Sequence, residues 1–283
     1  MKKIGILTAF ILVLLINLLA GGCSPADTSK LKVVTSTALI AQIVERIGGD
    51  MVNVVNIIPP AQCPGHFDVK PSDIQELTDA SIFLVHGWQG ETFIEELTAS
   101  ADNPDLNVVS LDIPSNPQSN WMVPSVQKEA TDVVAAALSQ VDAENSAAYQ
   151  ELADKYKAEV EAKGAEVETR LAGENLGGVN VMCNEQIAGL VQWLGFNIVS
   201  TYGRPDSLTP QVVMGLVDEA REEGVVLFID NLQSGADASA QMAEELDCKR
   251  VTITNFPGGF DGTETWEKAI DYDVELLLEA ITD

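Results

Sequence analysis

"ENSAAYQELADKYKAEVEAKGAEVETRLAGEN", residues 144–175, lies in the middle of a 283-residue chain. It holds no proline, and Gly164 is the one glycine before its end. Tyr149, Leu152, Tyr156, Val160, Val167 and Leu171 recur at spacings of three, four or seven, which puts them on one helical face, and the other face is charged. The spacing predicts a nearly continuous helix of about 30 residues. Flexible links between domains are usually rich in Gly, Ser or Pro. A single stiff helix instead holds whatever flanks it at a fixed mutual position.

Strands and helices alternate on both sides of it. Before it, "LKVVTSTA", "MVNVVNII", "ASIFLVHG" and "NVVSL" read as strands, the first a continuous β-branched run suited to burial. Helical spacing marks "LIAQIVERIGGD", which stops at a glycine pair, and "VPSVQKEATDVVAAALSQV". "SDIQEL" opens a helix behind Pro71, with Ser72 and Gln75 at capping-box spacing. After it, "GGVNVMC", "FNIVSTY", "VVLFID" and "RVTITN" are four more strands. The helices around "EQIAGLVQWL", "PQVVMGLVDEAREE", "SAQMAEEL" and "ETWEKAIDYDVELLLEAI" intervene or close the chain. This pace indicates parallel sheets with crossover helices. The expectation is an α/β protein of two parallel-sheet lobes, residues 31–141 and 175–283, joined by a backbone helix in 142–174, with a ligand cleft between the lobes.

The N-terminus addresses the compartment. "MKKIGILTAFILVLLINLLAGGC" has two lysines, an apolar run and small residues before Cys23, the order of a secretory signal. A cysteine directly after "LAGG" is the bacterial lipobox pattern. Residues 1–22 are expected to be a lipoprotein signal, Cys23 the lipidated first residue, and residues 23–30 a tether. The product would sit outside the cytoplasm, lipid-anchored to the outer face of the cytoplasmic membrane. Losing residues 1–22 removes Lys2 and Lys3 and no acid, so the formal charge of −27 becomes −29. So acidic a chain is a poor ligand for nucleic acid. A hydrophobic content of 46% is enough for real cores.

In open α/β sheets, ligands bind outside the carboxyl ends of the strands. After the second strand, "AQCPGHFDVKPSD" (residues 61–73) carries Cys63, His66 and Asp68. His86, the other of the chain's two histidines, ends the third strand. "SNPQSNW", with Ser119, Asn120 and Trp121, follows the fourth. Cys183, Asn184 and Glu185 follow the fifth strand, Asp230 the seventh and Asn255 the eighth. Both histidines and two of the three cysteines beyond Cys23 thus stand at strand ends. No nucleophile–base pair or phosphate loop is visible, so an enzyme is not expected.

"VVTSTALIAQIVERIGGD", "NIIPP" with "PSDIQELTDASIFLVHG", the long helix after "VDAENSAAY", and "VTITNFPGG" together resemble the metal-ion solute-binding lipoproteins of ABC transporters, the zinc/manganese-type (TroA/ZnuA-like) receptors. The resemblance runs from about Lys32 to the C-terminus. It implies two α/β lobes on a rigid helix, a metal held between them by histidines and carboxylates, and delivery to a membrane permease. Family positions fall on altered residues here. The first histidine falls on Gly65, with His66 one position later, and Cys63 stands where the family has Asp. The second falls on Ser119, the third ligand on Asn184, and the aspartate ahead of Gly-Gly on Asn255.

Two histidines exclude a three-histidine site, and Asn and Ser offer only neutral oxygens. Thiolate with imidazole suits Zn²⁺, Cu(I), Ni²⁺ or Fe²⁺. The expected metal set is therefore Cys63, His66 and Cys183, with Asn184 or Asn255 as a weak fourth. Asp68, His86, Ser119, Asn120, Trp121, Glu185 and Asp230 are candidate lining residues. Other readings stay open: a Cys63–Cys183 disulfide, His66 as a turn residue, His86 as structural, Cys248 as a packing thiol. The expected function is capture of a transition-metal ion, zinc or softer, by a monomeric receptor that hands it to an ABC permease. The alternatives are an organic or organometallic solute, such as a metal chelate or tetrapyrrole, or an adhesin-like lipoprotein.

Overall fold

The structure, a computed structural model, describes residues 30–88, 91–111, 113 and 120–282. Cys23 and most of the expected tether lie outside the described residues, as does Ser119. Two sheets form, each of four parallel strands. The first contains β1 (Leu31–Thr35), β2 (Val52–Asn56), β3 (Ile82–Val85) and β4 (Asn107–Ser110) in the order β2-β1-β3-β4. The second contains β5 (Asn180–Asn184), β6 (Asn197–Tyr202), β7 (Leu227–Asn231) and β8 (Lys249–Ile253) in the equivalent order β6-β5-β7-β8. All eight expected strands are present, and both sheets reverse direction of growth at one point, between β1 and β3 and between β5 and β7.

The expected helices form as α1 (Ala38–Gly48), α2 (Pro71–Thr78), α4 (Pro124–Val141), α5 (Ser146–Leu171), α6 (Ala188–Trp193), α7 (Pro210–Glu223), α9 (Ala240–Leu246) and α10 (Trp266–Thr282). Two more were not expected: α3 (Ile94–Ala101) and the single turn α8 (Leu232–Gly235). The start of α2 differs from the sequence reading. Lys70 is its N-cap, and the Asp73 carboxylate accepts the Lys70 backbone N–H at 2.8 Å. Pro71 has no N–H to satisfy at the first helical position, so the cap falls before it rather than at Ser72.

Strand alternation divides the apolar residues into layers. Val33, Ile82 and Leu84 in the first sheet, and Val181, Cys183, Leu227, Ile229 and Ile253 in the second, belong to one continuous core. That core runs through α1, α4, α5 and α10 and so passes from one sheet to the other. Phe83 and Val85 face a separate outer core on the first sheet, and Met182 and Phe228 another on the second. α5 buries Tyr149, Ala153, Tyr156, Val160, Gly164 and Val167 at spacings of three and four. Each fully buried large side chain of this stripe contributes about 1.5–3 kcal/mol. Polar keys fix its rotation: Gln127 donates to the Tyr156 hydroxyl at 3.0 Å, and that hydroxyl donates to Gln42 at 3.1 Å. Arg46 of α1 bridges Glu159 of α5 and Glu267 of α10. Among the described residues no helix is long and apolar enough to cross a membrane.

Candidate functional site

The carboxyl ends of the two sheets face one another, and their loops touch. Asn120, after β4, is buried and donates from Nδ2 to the Gln186 carbonyl at 2.9 Å and to Asn255 Oδ1 at 2.6 Å. Its own Oδ1 accepts the Met122 N–H at 2.7 Å, which fixes the amide orientation. Gln233, after β7, donates to the Pro60 carbonyl at 2.8 Å and to Thr254 Oγ1 at 3.0 Å. Its Oε1 accepts the Asn255 N–H at 2.9 Å. Gly258, at φ +77°, packs against Pro60, where a Cβ would come within 3.2 Å of the proline ring. The lobes thus meet along a seam of neutral amides.

A second contact joins the lobes at Gly65. A Cβ added to Gly65 would stand 2.8 Å from Arg204 Nη1, 3.3 Å from Nη2 and 3.5 Å from Cζ. The guanidinium of the loop after β6 therefore turns its Nη1–Nη2 edge against the "CPGH" turn of the opposite lobe. The missing Cβ permits it.

The expected metal set does not assemble. Among the described residues no three His, Cys, Asp or Glu side chains are grouped closely enough to hold an ion. Cys183 is the reason on one side. It is second to last in β5, so its side chain shares the face of Val181 and lies in the inner core, fully buried. Burial pushes its thiol up to about 12, against thiolate formation. Cys63, half-buried in its turn, and Cys248 are also free thiols, so no disulfide ties Cys63 to Cys183. His66 is exposed, and its carbonyl accepts from the Gln62 side chain at 3.0 Å. Asp68 is exposed.

Other lining candidates have structural duties. Asn184 Oδ1 accepts the Gln186 N–H at 3.0 Å and caps the short turn that follows. Asp230 is fully buried and spends its oxygens inside its own lobe, on Ser239 N–H and hydroxyl, Tyr202 and Arg250. Desolvation pushes its pKa up, opposed by those bonds. It does not line the cleft. Glu185 is exposed and accepts from the Gln186 side chain at 3.4 Å.

His86 is buried in an aromatic corner beside the seam. Trp88 stacks on its ring, centroids 3.6 Å apart and 6° from parallel, and Trp121 meets it edge-on at 4.3 Å. Burial holds its pKa well below the ordinary histidine value, so the ring is neutral. Nε2 lies 2.7 Å from Thr37 Oγ1, and Nδ1 is buried without a partner. A neutral imidazole carries one N–H. With the hydrogen on Nδ1, the Thr37 hydroxyl donates to Nε2, leaving one polar group unsatisfied. The other tautomer leaves two, so the Nδ1–H form is assigned. Beneath the ring Glu91 accepts the Gly87 N–H at 2.8 Å, Trp88 N–H at 3.3 Å and the Ser36 hydroxyl. This pins the turn that carries His86.

Sequence reasoning missed Thr37, Gln186, Gln233 and Arg204. Thr37 and Arg204 follow strands, β1 and β6, whose ends carry no histidine or cysteine to draw attention. Gln186 and Gln233 stand two residues past β5 and β7, and strand-end position is the one signal that could have found them.

A family model described as "Zinc-uptake complex component A periplasmic" (ZnuA) matches residues 33–280. The manganese-binding lipoprotein MntA of Halalkalibacterium halodurans is 32% identical over 111 residues, 37% of this chain and 37% of the relative. The matched stretch thus spans little more than a third of that relative. Among solved structures, the substrate-binding protein FpvC of P. aeruginosa in complex with Ni²⁺ superposes with a TM-score of 0.76 at 17% identity, covering 89% of this chain and 97% of the other. A mutant of the laminin-binding adhesin Lmb from Streptococcus agalactiae gives 0.75 at 17%, covering 89% and 100%. At such identities the likeness shows the fold.

Proposed function

The chain belongs to the ZnuA family of periplasmic zinc-uptake components, and from that premise we propose that it is the solute receptor of an ABC importer with a transition-metal cargo. Its seat is the cleft between the two sheets. Lipid on Cys23 tethers it outside the cytoplasm, and a membrane permease takes the cargo from it. The observation that carries this reading is the meeting of both sheets' carboxyl ends across one polar seam, on a chain matched to the family from end to end of its folded part. That placement follows the general rule for ligands of open α/β sheets.

Cys63 and His66 are the soft donors of the first lobe, and the Asn255 side chain stands across the seam in the other lobe. Thiolate and imidazole favour zinc or a softer ion over manganese. Metal analysis of protein purified without tags or chelators, followed by zinc titration of the reduced protein, tests the reading. Cys63→Ser and His66→Ala should each weaken binding at least tenfold, which is ~1.4 kcal/mol. Wild-type affinity in both variants would remove these residues from the site.

A second reading, a metal that arrives already chelated, is favoured by one observation. The seam is built of amides, and no three ligating side chains group among the described residues.

A further inference from the structure

Arg204 has a place that the receptor reading does not explain. It belongs to the second lobe, and its guanidinium stands against Gly65 of the first. Among the described residues no hydrogen bond or ion pair engages that guanidinium. The chain has 43 acidic residues and 16 basic ones, and most of the other described cations are paired. Arg46, Lys157, Lys163 and Arg250 each hold two carboxylates. Asp206 and Asp68 are the acids nearest in sequence to Arg204 and Gly65, and both are exposed and unpaired with it.

A bare divalent cation gains nothing from such a neighbour. A guanidinium presents five N–H donors in a planar fork that matches a carboxylate. The seam offers one further donor. Asn255 Oδ1 is taken by Asn120, which leaves the Asn255 NH₂ available. No carboxylate of the described residues joins a ligating group there.

We propose that the cleft binds its metal as an anionic oligocarboxylate chelate. Arg204 grips a carboxylate of the chelator, and the Asn255 amide donates to its oxygens. This rests on the receptor reading and names its substrate class. The chelator supplies the oxygen donors that the described residues lack, so the protein needs only Cys63 and His66 to touch the ion. The net charge of the chain opposes approach of an anion from a distance, but that field is screened beyond about 8 Å at physiological salt. A local cation is then what retains the chelate. Contact of its Nη1–Nη2 edge with Gly65 holds the guanidinium in place before the solute arrives and leaves the Nε–Nη edge for a carboxylate, which reduces the ordering cost of binding.

The test is calorimetric titration of the reduced full-length protein with zinc alone and with zinc–citrate at matched free zinc. Citrate should raise the apparent affinity at least tenfold in the wild type. Arg204→Ala should lose that gain and Arg204→Lys should keep part of it, while Arg170→Ala, on the exposed end of α5, should behave as wild type. Gly65→Ala, which displaces the guanidinium, should reproduce the loss with all charges intact. If citrate merely competes for zinc, or if Arg204→Ala keeps the full gain, the proposal is overturned and the receptor reading stands. If neither zinc nor zinc–citrate binds, both fall.

Discussion

Asn120→Ala should loosen the seam between the lobes by an amount the structure allows to be worked out. The side chain makes three hydrogen bonds: to Asn255 Oδ1 at 2.6 Å, to the Gln186 carbonyl at 2.9 Å and from the Met122 N–H at 2.7 Å. A hydrogen bond contributes about 1 kcal/mol net, and more when a buried partner is left unpaired. Met122 is fully buried, so its N–H gains no water in exchange. The expected loss is about 3 kcal/mol, or about 6–12 °C in midpoint for a domain of this size. Asn255→Ala removes only one of the three bonds and should cost about 1 kcal/mol. The double variant should be less destabilised than the sum by about that amount, because the two residues share a bond. Differential scanning calorimetry of the four proteins gives all three quantities. Equal losses in the two single variants, or an Asn120→Ala midpoint within 2 °C of wild type, which is under about 1 kcal/mol, would refute the seam as a stabilising contact.

Asp273 on α10 is buried, with one oxygen accepting the Thr254 N–H at 2.9 Å and the other unpartnered. Burial pushes its pKa well up, so the folded state holds its proton more tightly than the unfolded chain. Its contribution is complete below the unfolded carboxylate pKa and is lost as pH rises toward the folded value, at up to ~1.4 kcal/mol per pH unit. Asp273→Asn should therefore gain on the wild type as pH rises from 4 to 8 in urea unfolding, and a constant difference would contradict the burial argument. Thiol titration of the native reduced protein should label Cys63 and Cys248 at once and Cys183 only on unfolding; rapid labelling of Cys183 itself would show that it leaves the core. Scattering profiles with and without zinc should nearly overlap, because α5 has no hinge, and a fall of several ångströms in radius of gyration would refute rigidity. Cys23→Ala should release the protein from membranes, since two or more acyl chains are what make such anchoring firm; unchanged retention would exclude the lipid anchor.

The fold was legible because its signals are periodic and local. Eight strands and the central helix could be read from β-branched runs and from Tyr149, Tyr156, Val160 and Val167 on one face. The helix α3 was not expected, because "IEELTASA" is short and its apolar face holds only Leu97 and Ala101 as fully buried residues. The site was legible only by position. Strand ends picked out Asn120, Asn184, Asn255 and His86, but residue type pointed toward Cys183. Its reactivity depends on which face of β5 it occupies, a matter of parity against Val181 that strand-end counting ignores. Arg204 was invisible because its meaning lies in a contact with Gly65 that is 139 positions away in the chain, and a glycine's missing atom leaves no mark in a pattern search.

The central helix has a consequence for how binding strength is divided. α5 is 26 residues long, about 39 Å at 1.5 Å per residue, and it shares one core with both sheets. Each sheet presents its own strand ends at the seam, so in the proposed receptor each lobe is half of a two-part site. In linked binding modules, the second contact is intramolecular, and its effective concentration depends on how well the linker spans the two sites. A flexible connector dilutes that advantage as it lengthens. A helix welded into the core does not, because the geometry is set before the solute arrives. Two individually weak half-sites can then act together, and either lobe alone should be a far poorer binder than half the joint free energy suggests.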